Sequence, residues 1–93
     1  MSSKLKESQI QAALSNSPTW RLEQGELVQT STFEDFKQAM MFVTDVAELA
    51  EKAGHHPDID IRYNRVRLAL VTHDEGGLTS KDFELAAQAD KLS

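Results

Sequence analysis

The sequence predicts an α+β fold, a four-stranded antiparallel sheet with helices packed on one face, in the order α-β-β-α-β-β-α. Three observations lead there. Apolar residues recur at helical spacing from Phe33 to Ala53, strict alternation follows Pro57, and a glycine-bearing turn splits two short strand-like runs upstream.

Residues 1–4 are polar and expected to fray, as chain ends do. Leu5, Ile10, Ala13 and Leu14 fall close to helical spacing, and Asn16-Ser17-Pro18 stops this short first helix. Trp20-Arg21-Leu22 and Leu27-Val28-Gln29-Thr30 flank Glu23-Gln24-Gly25-Glu26, which reads as a β-hairpin. In the long helix, Phe33, Phe36, Met40, Val43, Ala47 and Ala50 form one row, and Ala39, Phe42, Val46, Leu49 and Ala53 a second beside it. Two adjacent rows make the wide apolar face that a helix lying across a sheet needs. Ser31 or Thr32 is the expected cap, Glu34 and Asp35 fall in the first turn, and Gly54 suits a left-handed stop. Beyond Pro57, Ile59, Ile61 and Tyr63 alternate with charged residues, and Val66, Leu68 and Leu70 resume the pattern after a turn expected at Asn64-Arg65. Asp74-Glu75-Gly76-Gly77 is a loop. Thr79 and Asp82 then form a capping box, with Leu78 and Phe83 as its hydrophobic staple, and open the last helix.

Ninety-three residues suit one domain, taken as 1–93, large enough for a core. Ten basic against fifteen acidic residues leave a net charge of −5. That balance argues against surfaces built for nucleic acid or anionic lipid. The absence of cysteine removes disulfides, thiolate catalysis and Cys-based zinc sites. No apolar run approaches a signal segment or a membrane span, so a cytoplasmic location is expected.

All three histidines sit at element ends: His55 and His56 directly after the long helix, and His73 after the last strand. Such junctions are where sites are commonly built. Three imidazoles that converge can hold a divalent ion, or they can act as an acid/base set near neutral pH. Adjacent side chains in an extended loop diverge, and no His-x-His or His-x-x-x-His pair is present. The spacing therefore favours proton transfer without metal, and no cofactor is expected.

Glu51-Lys52-Ala53-Gly54-His55-His56-Pro57, Tyr63-Asn64-Arg65-Val66, Thr72-His73, Gly77-Leu78-Thr79 and Asp82 together resemble the pterin-4a-carbinolamine dehydratase family. Phe33-Glu34-Asp35-Phe36, Ala39-Met40, Phe42-Val43 and Trp20 extend the resemblance over roughly residues 18–90. It implies a hydro-lyase that removes water from a 4a-hydroxytetrahydropterin to give a quinonoid dihydropterin, in recycling of tetrahydrobiopterin. By the same resemblance His55 and His73 are the acid/base pair, Asp82 orients an imidazole, and His56 holds the pterin beside Pro57. Trp20 forms part of the pocket wall, and backbone groups of Gly54 and of Val71, Thr72 and Asp74 meet the polar edge of the ring. Many members carry Asp or Asn where this chain has Gly54, which removes a side-chain contact and leaves the backbone one. Glu51 and Lys52 read simply as the solvated last turn of the helix, and Arg62, Arg65 and Arg67 as surface charges or a frame for an anionic substrate tail.

Two other functions fit the resemblance: a protein-interaction module that binds a dimerisation helix, and a pterin-related role in molybdenum-cofactor metabolism. A homodimer or homotetramer is also expected. The family implies it, and the Trp20–Thr30 hairpin carries little protection against edge pairing.

Overall fold

The computed structural model describes residues 3–92. Its elements are α1 (Glu7–Ser15), β1 (Arg21–Glu23), β2 (Glu26–Thr32), α2 (Phe36–Ala53), β3 (Asp58–Arg62), β4 (Arg65–Leu70), a 3-10 turn (His73–Glu75) and α3 (Ser80–Asp90). The strands form one antiparallel sheet in the order β1-β2-β4-β3, so the two hairpins join through β2 and β4. Of the residues expected to fray, Met1 and Ser2 lie outside the described residues. Ser3 and Lys4 are exposed and lead into Leu5, whose N–H donates to the Leu78 carbonyl at 2.8 Å.

Period-two burial sorts the sheet into two unlike faces. Leu27, Val66, Leu68, Leu70 and half-buried Ile59 point into a core shared with Ala39, Phe42, Val46 and Ala50 of α2 and Leu85, Ala86 and Ala89 of α3. Ile10 and Leu14 of α1 pack against the same core. Among the described residues no helix covers the other face, and its strand positions are mostly charged. No helix among the described residues is long and apolar enough to cross a membrane.

Several boundaries differ from the sequence reading. Strand β2 runs on through Ser31 and Thr32, so neither caps the long helix. Asp35 does, its side chain accepting from Gln38 N at 2.9 Å, and Phe33 is left in the connection. The second hairpin turns at Tyr63-Asn64, one residue earlier than expected, because Arg65 pairs directly with Arg62 as the first residue of β4. Tyr63 takes φ 53° there and leaves the strand, while the Asn64 side chain donates to the Phe33 carbonyl at 2.9 Å. The first hairpin turns on Gln24 (φ 49°) and Gly25 (φ 80°), the double left-handed pair of a two-residue turn. The wide face of α2 is only partly used: Ala39, Phe42, Val46 and Ala50 are buried, whereas Phe36 remains 50% exposed and Ala47 is open to solvent.

Candidate active site

The end of α2 delivers the first two histidines. Gly54 closes the helix at φ 63°, its N–H donating to Glu51 O, and His55 N donates to Ala50 O. This left-handed stop folds the chain back over the last turn. It brings His56 Nε2 to 2.5 Å from Glu51 Oε2, a pair that lies in the open. The end of β4 delivers the third. Thr72 and Gly77 exchange backbone hydrogen bonds of 3.1 and 3.3 Å, which clamps the 3-10 turn and holds His73 and Asp74 at its start.

Beneath these loops lies the start of α3. Thr79 caps it, accepting from Lys81 N, and the Asp82 carboxylate accepts from Thr79 N at 2.9 Å through Oδ2, which completes the capping box. The same oxygen accepts from the Thr72 hydroxyl at 2.9 Å, and Thr72 and Thr79 hydroxyls lie 2.8 Å apart. Asp82 Oδ1 lies 2.5 Å from His55 Nε2. Asp82 is fully buried, and the His55 side chain only 11% exposed. Asp82 thus does two jobs at once: it accepts from the backbone N–H of the residue that caps α3 and it grips an imidazole. An ionised carboxylate can only accept, so opposite one a neutral His55 carries its hydrogen on Nε2 and keeps the lone pair on Nδ1. That is the carboxylate–imidazole arrangement by which catalytic histidines are held in one tautomer. His73 is exposed and has no polar side-chain partner among the described residues.

Gly54, His55, His56, Val71, Thr72, His73 and Asp74 line one cavity of about 240 Å³, and Lys81 completes its wall. Seven of the ten residues expected from the sequence therefore meet there, and Asp82 stands directly behind His55. Pro57 is half-buried in the connection to β3 and does not line the cavity. Trp20 is placed elsewhere: it is 5% exposed in the core, and its indole N–H donates to Asp90 Oδ1 at 3.0 Å. Two neighbours escape the sequence reading. Lys81 looks like an ordinary solvated residue in the first turn of a helix. Glu51 meets His56 across a left-handed cap, a contact that helical spacing does not reveal. Arg62, Arg65 and Arg67 stand at the opposite end of β3 and β4 and cannot frame the same ligand. Among the described residues no three His, Cys, Asp or Glu side chains are grouped to hold a metal ion.

Comparison with known proteins places the chain in a family. The family model for pterin 4 alpha carbinolamine dehydratase matches residues 3–92. A protein of Chloroflexus aurantiacus, named as a candidate pterin-4-alpha-carbinolamine dehydratase, is 60% identical over 89 residues, covering 96% of each chain. One of Acidobacterium capsulatum with the same name is 61% identical over 83 residues, covering 89% of this chain and 90% of its own. Among solved structures, a transcriptional coactivator/pterin dehydratase from Brucella melitensis superposes with a TM-score of 0.92 at 33% identity, over 96% of this chain and 97% of that one. A pterin dehydratase-like RuBisCO assembly factor of the alpha-carboxysome gives 0.68 at 26% identity, over 80% and 88%.

Proposed function

The chain belongs to the pterin 4 alpha carbinolamine dehydratase family, and from that premise we propose that it dehydrates a 4a-hydroxytetrahydropterin to the quinonoid dihydropterin and water. The convergence of His55, His56 and His73 on one cavity, with His55 backed by buried Asp82, supports this reading above all else. In the reaction the C4a–O bond breaks, the departing oxygen takes a proton and leaves as water, and a ring nitrogen gives up a proton as the new double bond forms. One acid and one base suffice, and neutral-pH imidazoles suit both. His55, with Nε2 committed to Asp82, is the base through Nδ1, and exposed His73 is the acid at the hydroxyl. His56, tied to Glu51, holds the pterin, as do backbone groups of Gly54, Val71, Thr72 and Asp74 at its polar edge. Breaking the C–O bond needs only the two proton transfers, and the quinonoid dihydropterin it yields must still be reduced by a separate two-electron donor before the tetrahydropterin cofactor is recycled, in the cytoplasm on this reading.

A binding role is the second reading, favoured by the structural likeness to a RuBisCO assembly factor. A scaffold has no physical need for three imidazoles around a cavity, which tips the balance to the dehydratase. Stopped-flow dehydration of the carbinolamine, with chelator present and set against the uncatalysed rate, tests the proposal. A catalysed rate that survives chelation is expected. A rate no faster than solution leaves the binding module, and loss of activity on chelation together with stoichiometric bound metal overturns the metal-free step.

A further inference from the structure

All four arginines of the chain, Arg21, Arg62, Arg65 and Arg67, lie on the helix-free face of the sheet, and none of the six lysines does. The parity of the strands fixes this: Arg65 and Arg67 alternate with the core residues Val66 and Leu68, Arg62 follows Ile61 in the register that puts Ile59 against the core, and Arg21 pairs with Val28, whose neighbour Leu27 points inward. Arg62 and Arg65 stand directly opposite each other in register, an arrangement of like charges that destabilises a sheet unless something lies between them. The carboxylates nearby are already engaged. Glu23 accepts from both Arg21 and Arg67, which hold its carboxyl below the usual range, and Asp60 accepts from Arg62 at 3.1 Å. Arg65 has no polar or ionic side-chain partner among the described residues. Arg62, Arg65 and Arg67, with Thr30 and Asp60, line a depression of about 220 Å³.

We propose that this depression is a binding site for the phosphate group of a small phosphomonoester. Arginine forks match tetrahedral oxyanions bidentately, whereas lysines do not. Even with Arg62 Nε committed to Asp60 and Arg67 Nη2 to Glu23, three guanidinium groups and the Thr30 hydroxyl offer more donors than the two oxygens of a carboxylate can use, and the three oxygens of a phosphate group use more of them. The site is too closely bounded by acid for a polyanion: Glu23, Glu26 and Asp58 share the face, and the chain as a whole carries −5. It is also separate from the histidine cavity. Arg65 opens β4 and His73 follows its far end, about 20 Å along the strand. The inference does not rest on the dehydratase reading.

Titration of the 15N-labelled protein with inorganic phosphate and with phenyl phosphate tests it. Saturable shifts are expected at Thr30, Arg62 and Arg65–Arg67, without shifts at His55 or His73. Arg65→Gln and, separately, Arg62→Gln should each weaken both probes by about tenfold or more, as loss of a charged hydrogen-bond donor does. Lys37→Gln should leave both unchanged. Tighter binding of the ester marks a phosphorylated ligand, as proposed. A preference for inorganic phosphate, shifts indifferent to both arginine substitutions, no saturable shifts, or equal binding of an unphosphorylated acidic peptide or an oligonucleotide overturns the proposal.

Discussion

At His55 a single hydrogen bond decides which nitrogen is free to take a proton, and its consequences can be measured. His55→Ala and His73→Ala should each slow dehydration by about 10²–10⁴-fold with the circular dichroism unchanged. His56→Ala should raise KM far more than it lowers kcat. Unchanged rates in both of the first two variants would remove the acid/base assignment. Asp82→Asn is the more pointed substitution. Thr79 N–H can only donate, so the amide oxygen must stay on that side and the NH2 must face His55 Nε2. His55 is then forced to give up its Nε2 hydrogen and carry it on Nδ1, where the lone pair is needed. The expected loss in kcat is about 10²-fold or more, with a displaced pH–rate profile. A purely structural role would lower the melting temperature and leave that profile in place. The three histidines and the Thr79–Asp82 box were legible in the sequence because each announces itself through position or spacing. The second task of Asp82 was suggested only by family resemblance, since a contact across 27 residues leaves no local trace. Trp20 shows the same limit in reverse: sequence order sets it before a strand, but its partner Asp90 lies 70 residues away.

The long helix shows how much of an element is written locally. The helix itself and the left-handed stop at Gly54 follow from periodicity and backbone sterics alone and appear where expected, while of the two apolar rows only Ala39, Phe42, Val46 and Ala50 are buried. Its start was misplaced because Ser31, Thr32 and Asp35 are all good caps, and the choice among them is made by β2. Pairing of Ser31 with Val66 and Thr32 with Arg65 draws both residues into the sheet. Asp35 is then the next residue able to cap, and Asp35→Ala should cost about 1 kcal/mol, measured by chemical denaturation. At the other end, a Cβ on Gly54 would meet no atom within 4 Å, so any penalty comes from backbone conformation and not from crowding. Gly54→Ala should cost about 1–2 kcal/mol. Gly54→Asn should cost less, since Asn tolerates the left-handed region. Equal stability of the alanine variant and the parent would mean that the loop carrying His55 and His56 relaxes out of this conformation.

The whole molecule presents two surfaces that a lone chain leaves uncovered. The sequence pointed to the first hairpin as an edge in need of pairing, and β1 is indeed at the edge of the sheet. It is only three residues long, and the other edge, β3, shows Asp58, Asp60 and Arg62 to solvent. Short and charged edges resist pairing. The stronger drive lies on α2, where Phe36, Met40 and Met41 line an open apolar depression on the side away from the core. Sequence periodicity set Phe36 and Met40 in one wide face with the buried residues and left Met41 outside it, because adjacent apolar rows on one helix carry no sign of which is covered. A second copy of the same stripe is the natural cover, since a two-fold axis sets like against like and chains of this size gain much from extra burial. We therefore expect self-association through α2, giving a dimer, or a tetramer if an edge strand pairs as well. Light scattering at micromolar concentration should report a mass two or four times 10.4 kDa. Met41→Glu, at a position 53% exposed in the single chain, should lower that mass without unfolding the protein. A monomer mass for the parent would contradict self-association. An unaltered oligomer in Met41→Glu would move the contact from the helix to the sheet edges.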